Sequence, residues 1–355
     1  MLQSTVAAFK IVLLEHGYPS TATERSLIES AGGRFVDCEQ MDIEVALQEA
    51  EDADGVIFRR LDMTADRIAR FKKARIILRY GIGTDNVDLE ACTRHGIIAG
   101  HVPGYCIDDV TTHAIALLMN GVRNIVGNHR AMEHGAWDLQ RVTPLYRTEG
   151  KVLGLISLGN IGQGMVRKLS GWNMKFLAYD PYVDPQKARD LKVELTDLDT
   201  LCAQSDYISV HAPLLPETRH LLGAQEYARM KETAILVNTS RGPVLDTKAL
   251  MAALDAGQLA RAGLDVFETE PLPIDDPIRH HPRIAVSDHT AWYTEESQAI
   301  LQQRAAEEIV RVCTGHRPQS LANIDLALNE GWLESDWPVP DHIGWQLRRR
   351  KQFKR

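Results

Sequence analysis

The chain has 355 residues, of which 44% are hydrophobic and 25% are charged, and its formal net charge at pH 7 is -8. This length accommodates two ordinary domains, and the acidic balance excludes a nucleic-acid surface of the usual basic kind. Five cysteines without a CxxC pair exclude a disulfide framework and a zinc site, and the lack of a bilayer-length apolar run excludes a membrane partner.

Short apolar runs alternate with helical patterns along most of the chain. The first series is FKIVLLE, GRFVD, DGVIFR, RIILRYG and GIIAGHV, and the second is VLGLISLG, KFLAYD, YISVHA, AILVNTS, AGLDVF and RIAVSD. Lys10 interrupts the first run, which indicates a strand over Phe9–Leu14 rather than a signal peptide. The alternation predicts an α/β protein with two doubly wound parallel sheets, one in each of two domains.

Two helical patterns mark the domain junctions. One extends from Asp108 to the sequence MEHG and separates the two series, and the other begins near Glu295 and should return the chain to the first domain. We therefore expect one domain over 1–110 and 299–325, a second over 111–298, and a C-terminal tail over 326–355. The tail holds Trp332, Trp337 and Trp345, which suggests that it packs on another surface, such as a neighbouring subunit.

The stretch LISLGNIGQG lies between a strand and a helix, where a dinucleotide-binding turn would lie. The fingerprint GxGxxG aligns with Ser157, Gly159 and Gly162, so only its first glycine is replaced. Asn160 and Ile161 begin the helix whose amides would face the pyrophosphate. Strand–glycine–helix junctions often serve packing alone, so other residues are needed to show whether this turn binds a dinucleotide.

Asp180 ends the next strand, where this fold places an acid that holds the adenosine ribose hydroxyls. A carboxylate there would repel a 2′-phosphate, which favours NAD over NADP. A turn-forming aspartate before Pro181 is the alternative, but it does not explain the spacing. The region 111–298 is thus expected to be a Rossmann-type NAD domain.

Three later strands are each followed by polar residues. Arg241 follows the run AILVN, and His289 follows IAVS. Three acidic residues follow AGL, namely Asp265, Glu268 and Glu270. Ligands of doubly wound sheets bind at these carboxyl ends of strands. An arginine can clamp a carboxylate, and a histidine with a carboxylate partner, for which Glu270 is the candidate, can donate a proton as hydride arrives. Each residue alone is more often structural, but together they predict reduction of a carbonyl beside a carboxylate.

The motifs LVNTSRGPVLD, GLDVFETEPLP and DHTAWYT resemble those of the D-isomer-specific 2-hydroxyacid dehydrogenases. HTAWYTEES is most similar to the C-terminal-binding-protein branch, and RYGIGTDNVDLEACTRHGIIAGHVPGY is similar to the glycine loop of the family's substrate domain. The resemblance implies that the region 1–110 with 299–325 is a flavodoxin-like substrate domain, and that the protein is a homodimer with the active site in the cleft between domains.

The resemblance also implies roles for individual residues. Arg241, Glu270 and His289 match the catalytic arginine, glutamate and histidine. It implies that Asp265 holds the nicotinamide carboxamide and that Thr239 and His211 line the cofactor cleft. The backbone amides of Ile82 and Gly83 would bind the substrate carboxylate.

Three residues depart from the family pattern without removing a reacting group. Ser157 replaces the first fingerprint glycine, Asp288 stands where a proline usually precedes the histidine, and Thr112 stands where a glutamate is usual. Ser157 is expected to weaken cofactor binding modestly through its Cβ, and Asp288 introduces a second carboxylate near the imidazole.

Several residues are candidates for selecting the substrate. Arg59, Arg60 and Arg79 lie after or within strands of the first domain, so one of them could meet a second anionic group, or all could be solvated or paired loop arginines. Trp292 and Tyr293 could wall the pocket against bulky side chains or pack against the hinge helix. The candidate substrate contacts are therefore Ile82, Gly83, Arg241 and Trp292.

The sequence predicts a cytoplasmic NAD-dependent oxidoreductase that transfers hydride between NADH and a small 2-oxo acid or D-2-hydroxy acid. No nucleic acid, membrane or metal is expected as a partner. The alternative is an NAD(H)-sensing scaffold like the C-terminal-binding corepressors, although no nuclear-targeting extension is recognised. Oxidation of formate or phosphite fits less well, because the related formate enzymes carry Gln where this chain has Glu270.

Overall fold

A computed structural model describes residues 8–138 and 144–331. The chain divides into two compact units, the first Met1–Tyr105 with Glu295–Arg355 and the second Cys106–Thr294. The boundaries expected after residues 110 and 298 fall in the first turns of helices that each belong to one unit. The roles of the two regions as substrate and cofactor domains stay predictions, and Trp332, Trp337 and Trp345 lie outside the described residues.

The first unit is built on a five-stranded parallel sheet. Its strands are β1 (Phe9–Leu13), β2 (Gly33–Asp37), β3 (Gly55–Phe58), β4 (Ile76–Arg79) and β5 (Ile98–Gly100), in the order β2-β1-β3-β4-β5. This is the flavodoxin-like order, with its switch point between β1 and β3. The expected doubly wound fold of this region is confirmed.

Helices cover both faces of this sheet. They are α1 (Ala22–Ser30), α2 (Ile43–Glu49), α3 (Ala65–Arg70), α4 (Leu89–Arg94) and, from later in the chain, α12 (Glu295–Cys313) and α13 (Ile324–Asn329). Val12, Val56 and Ile77 pack into one core, while on the other face a Cβ on Gly55 would lie 2.8 Å from Ile309 Cδ1. The helix α12 thus completes the first unit, as the pattern from Glu295 predicts.

The second unit holds a seven-stranded parallel sheet. Its strands are β6 (Val152–Ile156), β7 (Lys175–Tyr179), β8 (Glu194–Leu195), β9 (Tyr207–Val210), β10 (Ile235–Asn238), β11 (Arg261–Leu264) and β12 (Ile284–Val286), in the order β12-β11-β10-β9-β6-β7-β8. Counted from β6, this is the Rossmann order with one further strand, which confirms the predicted fold. The sequence analysis missed β8, because its two residues are exposed and form no apolar run.

Most helices of the second unit pack on one or the other face of its sheet, and the second helix in chain order has no buried residue. The helices are α5 (Ile107–Arg123), α6 (Ile125–Glu133), α7 (Asn160–Leu169), α8 (Pro185–Asp190), α9 (Leu198–Gln204), α10 (Ala224–Arg229) and α11 (Thr247–Asp255). The pattern from Asp108 forms two helices rather than one, since Asn124 takes the left-handed conformation, with φ of 51°, and ends α5.

Both faces of the second sheet are buried. In β10, Ile235 and Val237 pack into a core with Leu118 of α5, whereas Leu236 packs into the opposite core with Leu250 of α11. This burial explains why the strands are continuous apolar runs. In the part of the chain that the structure describes, no helix is long and apolar enough to cross a membrane.

Candidate active site

The loops that carry the predicted reacting groups leave the sheet side by side. Asn238 at the end of β10 is in register with Leu264 at the end of β11, and Leu264 is in register with Val286 at the end of β12. Because these strands are parallel, the residues that follow them emerge at one edge of the sheet. Arg241, Glu270 and His289 all lie on these three loops.

His289 and Glu270 form a hydrogen-bonded pair. His289 Nδ1 lies 2.6 Å from Glu270 Oε2, and the side chains are 38% and 34% exposed. Burial by itself would raise the pKa of Glu270, but the hydrogen bond and charge of His289, the Phe267 amide and the charge of Arg241 together hold the pKa below its ordinary value of 4.5. Glu270 is therefore a carboxylate near neutral pH, and His289 Nε2 is the nitrogen that can exchange a proton with a ligand.

Gly242 allows the loops after β10 and β11 to touch. A Cβ at this residue would lie 1.9 Å from the carbonyl carbon of Phe267 and 2.0 Å from its oxygen. Only glycine fits there, and the contact places Arg241, the preceding residue, within electrostatic reach of Glu270. The glycine of the SRGP motif was the available signal for this contact, which the sequence analysis did not use.

Asn238 fixes the backbone around Arg241. This side chain is completely buried; its Oδ1 accepts from the amide of Ser240 at 3.0 Å, and its Nδ2 donates to the carbonyl of Arg241 at 2.9 Å. Arg241 Nη1 in turn donates to the Ser240 carbonyl at 2.8 Å. The sequence analysis missed Asn238, because an asparagine at a strand end is a common turn residue.

Asp265 supports the turn that carries His289. Its carboxylate is completely buried and accepts from the amides of Thr290 and Ala291 at 3.1 and 3.0 Å, and its carbonyl accepts from the His289 amide at 2.8 Å. His289 has a φ of 56°, which is unusual for a residue other than glycine. These hydrogen bonds hold the unfavourable conformation, so Asp265 has a supporting role beside the implied carboxamide contact, which stays a prediction.

The fingerprint turn has the shape of a phosphate cradle. A Cβ on Gly162 would lie 2.6 Å from the carbonyl oxygen of Ser157, so this glycine allows the helix to pack on the strand end. A Cβ on Gly159 would have only Ser157 Oγ nearby, at 3.7 Å, which leaves open space above the turn. No side chain of the described residues caps the first turn of α7, where Asn160 and Ile161 begin the helix.

Asp180 forms hydrogen bonds both within its own turn and to the fingerprint turn. Its Oδ2 accepts from the Leu158 amide at 2.9 Å and from Ser157 Oγ at 3.2 Å, while its Oδ1 accepts from the amides of Tyr182 and Val183 at 2.9 and 3.0 Å. It therefore does form a turn before Pro181. It also ties that turn to the fingerprint, which is where a ribose would be held, and the ribose contact itself stays a prediction.

Ser157, in place of the first fingerprint glycine, has a φ of 78°. Left-handed conformations strain a residue with a Cβ, so the turn keeps a glycine-like backbone although the glycine is absent. The hydroxyl compensates in part through its hydrogen bond to Asp180.

Thr239 and His211 also fit a bound nucleotide. Thr239 is buried, and its Oγ1 finds no hydrogen-bond partner among residues 8–138 and 144–331. A buried hydroxyl without a partner is unfavourable by about 1–3 kcal/mol, so this atom points to a polar group of a ligand. Burial lowers the pKa of His211 to about 3, so its imidazole is neutral and lies against Met165 Sδ at 3.1 Å. An open glycine turn with free helix amides and an unpartnered buried hydroxyl together suit NAD.

The glycine loop of the first unit follows β4. Ile82 is 40% exposed, and its carbonyl accepts from His101 Nδ1 at 2.7 Å. Burial lowers the pKa of His101 to about 4, so a neutral Nδ1–H is the donor. Because a trans peptide directs its C=O and N–H oppositely, His101 orients the Gly83 amide away from itself.

The candidate selectivity residues have varied surroundings. The Arg59 guanidinium lies 5.0 Å from the centre of the Tyr18 ring and donates to the His16 carbonyl at 2.8 Å, as a paired loop arginine would. Trp292 packs edge to face with Tyr293, with 5.5 Å between ring centres. Arg60 is exposed. The roles of these residues toward a substrate stay predictions.

The remaining departures and acids lie beside the site. Thr112 accepts from Lys168 Nζ at 2.7 Å on the surface between α5 and α7, and Asp288 accepts from Thr290 Oγ1 at 3.1 Å. Glu268 Oε2 lies 2.9 Å from His220 Nε2, so of the two glutamates it is Glu270 that pairs with His289. Within the described ranges, no group of three or more His, Cys, Asp or Glu side chains is arranged to hold a metal ion.

Comparison with known proteins gives consistent results. Residues 115–291 match the family model described as D-isomer specific 2-hydroxyacid dehydrogenase, NAD binding domain. The chain is 35% identical over 286 residues to a glyoxylate reductase of Korarchaeum cryptofilum, with 79% of this chain and 86% of that protein covered. It is 37% identical over 283 residues to a D-3-phosphoglycerate dehydrogenase of Methanocaldococcus jannaschii, covering 79% of this chain but only 54% of that longer protein.

A solved structure shows the same relationship. The NAD-dependent formate dehydrogenase from Staphylococcus aureus in complex with NAD matches 85% of this chain and 95% of its own, with a TM-score of 0.76 and 29% identity. The expected cofactor, NAD, and the oxidoreductase class are therefore confirmed. With its two doubly wound domains and its matching sequence, the chain belongs to the D-isomer specific 2-hydroxyacid dehydrogenase family.

Proposed function

We propose that this protein reduces a small 2-oxo acid to a D-2-hydroxy acid with NADH, and that Arg241, Glu270 and His289 carry the reaction. The observation that supports this most directly is the 2.6 Å hydrogen bond between His289 and Glu270, on loops beside the one that carries Arg241. An acid-base pair and a guanidinium on adjacent strand ends suit a carbonyl that stands next to a carboxylate.

The three residues have different tasks. NADH, when bound, supplies the hydride. Arg241 binds the substrate carboxylate and polarises the neighbouring carbonyl, and His289 Nε2 donates a proton to the carbonyl oxygen and accepts it in the reverse direction. Glu270 orients the imidazole and balances its positive charge. We also assign the backbone amides of Ile82 and Gly83 to the substrate carboxylate.

We infer further that the protein is a cytoplasmic homodimer. Three large apolar side chains on and just after α6 are exposed: Ile125 by 58%, Met132 by 56% and Trp137 by 89%. A tryptophan exposed to that degree, close in sequence to other exposed apolar residues, suits an interface with a second copy. The five cysteines are buried free thiols, which suits a reducing compartment. Sedimentation of the purified protein tests the dimer.

Loss of NADH absorbance with purified protein and glyoxylate, hydroxypyruvate or pyruvate tests the activity. Replacing His289 with Asn should lower kcat by about 10²–10⁴-fold, the usual contribution of a general acid, and leave the dissociation constant of NADH unchanged. His316, an exposed histidine that follows α12, provides the control variant His316→Asn. Tight NADH binding with no turnover of any 2-oxo acid would instead favour a scaffold, and retained turnover in His289→Asn would disprove the role of this residue.

A further inference from the structure

A second hydrogen-bonded chain runs from α5 to the end of β11. His113 Nε2 lies 2.8 Å from Ser287 Oγ, and Ser287 Oγ lies 2.6 Å from Asp265 Oδ1. His113 Nε2 is also 3.5 Å from Asp265 Oδ1. Neither His113 nor Ser287 has a role in the reaction as proposed above.

The direction of these hydrogen bonds follows from the number of protons. An ionised carboxylate can only accept, so the single hydrogen of the Ser287 hydroxyl is donated to Asp265. The Ser287 oxygen must then accept from His113, and His113 Nε2 therefore carries a hydrogen. The imidazole thus determines where the hydroxyl hydrogen of Ser287 points.

Asp265 needs these donors more than an exposed carboxylate would. Its side chain is completely buried, and among the described residues the imidazole of His113 is the one basic group within 4 Å of its carboxylate. Burial makes an ionised carboxylate unfavourable unless its oxygens accept hydrogen bonds. Ser287 serves the same oxygen, Oδ1, that accepts from the Thr290 amide.

The same carboxylate holds the turn of His289. Besides Thr290, Asp265 accepts from the Ala291 amide, and its backbone accepts from the His289 amide. His289 sits in a left-handed conformation, with φ of 56°, that the turn must maintain. A rotation of the Asp265 carboxylate would release the two amides that follow His289.

We propose that His113 and Ser287 are positioning residues, which orient the Asp265 carboxylate and thereby hold His289 in place for proton transfer. The effect on turnover rests on the proposed function. The effect on the turn does not, because the backbone amides of Thr290 and Ala291 report it directly.

Four variants of the full chain test this proposal. His113→Leu removes the donor, Ser287→Ala breaks the chain by removing one oxygen, and His113→Gln keeps a neutral N–H donor at similar reach. His316→Gln is the matched control, since His316, which follows α12, is exposed and outside this hydrogen-bonded chain. Hydrogen exchange of the peptide that contains Thr290 and Ala291 is measured beside kcat and KM for the 2-oxo acid.

In His113→Leu and Ser287→Ala, exchange at these amides should be about tenfold faster and kcat about tenfold lower, with KM within about twofold of the wild-type value. His113→Gln should restore both to within about threefold, and His316→Gln should match the wild type. If His113 and Ser287 had only a structural role, their variants would be less stable, His113→Gln would not restore exchange and kcat, and kcat would not fall separately from KM.

Wild-type exchange at Thr290 and Ala291 in either His113→Leu or Ser287→Ala would overturn the proposal. Ser287→Ala is decisive if His113→Leu does not fold. If the wild type reduces no 2-oxo acid while the exchange results are as expected, the proposed function fails and the positioning of the turn stands.

Discussion

Replacing Gly242 with alanine tests whether the active site depends on close contact between two loops. The added Cβ would lie 1.9 Å from the carbonyl carbon of Phe267, 2.0 Å from its oxygen and 2.4 Å from the Glu268 nitrogen. Non-bonded carbon atoms approach favourably to about 3.5 Å, so the two backbones must separate by about 1.5 Å. All three atoms belong to the backbone, so no side-chain rotation can relieve the clash.

The expected cost concerns activity more than stability. Overpacking of this kind destabilises a protein by about 1–3 kcal/mol. The displacement also separates Arg241, which precedes Gly242, from Glu270, which follows the clashing peptide by three residues. A misplacement of about 1 Å can lower a rate by about 10²-fold, so kcat/KM for the 2-oxo acid should fall about a hundredfold, or about 2.7 kcal/mol.

Gly171→Ala is the matched control, because a Cβ there meets nothing within 4 Å and its φ is not in the positive range. Denaturant unfolding and steady-state kinetics with NADH are measured for both variants. Gly171→Ala should match the wild type in both assays. Wild-type kcat/KM in Gly242→Ala would refute the argument that this contact positions Arg241.

Three further predictions concern the turn and the acid-base pair. Gly159→Ala should leave the free energy of unfolding within about 0.5 kcal/mol of the wild-type value, since the added Cβ has only Ser157 Oγ nearby. It should weaken NADH binding, because the Cβ fills the space where the phosphates would lie, and an unchanged NADH affinity by titration would contradict this. Ser157→Gly should raise the free energy of unfolding by about 1 kcal/mol, because it relieves a φ of 78°, and a loss of stability in denaturant would show that the hydroxyl bond to Asp180 matters more. The folded-state pKa of Glu270 is lowered, so its contribution to stability is present above the ordinary value of 4.5 and is lost as pH falls through the folded pKa. The difference in unfolding free energy between wild type and Glu270→Gln should therefore shrink below about pH 4, and a difference that grows on acidification would reverse the assigned direction.

The sequence by itself predicted the fold class, the strands other than β8, and Arg241, Glu270 and His289 as candidates for the reacting residues. Parallel strands that are buried on both faces must be apolar along their whole length, so runs such as AILVN were readable without a structure. Parallel strands end at one edge of a sheet, and ligands bind there. This rule pointed to the glycines of the fingerprint and to the polar residues after AILVN, AGL and IAVS. Arg241, Glu270 and His289 were found by that rule.

Only the tertiary structure decided which residues hold these groups in place. Gly242 matters because a loop distant in sequence passes within van der Waals contact of it. Asp265 matters because three backbone amides of another loop, those of His289, Thr290 and Ala291, donate hydrogen bonds to it. His113 meets Ser287 across 174 positions of sequence. Local pattern carries no signal for such contacts, because they depend on the order and register of strands that pair far apart along the chain.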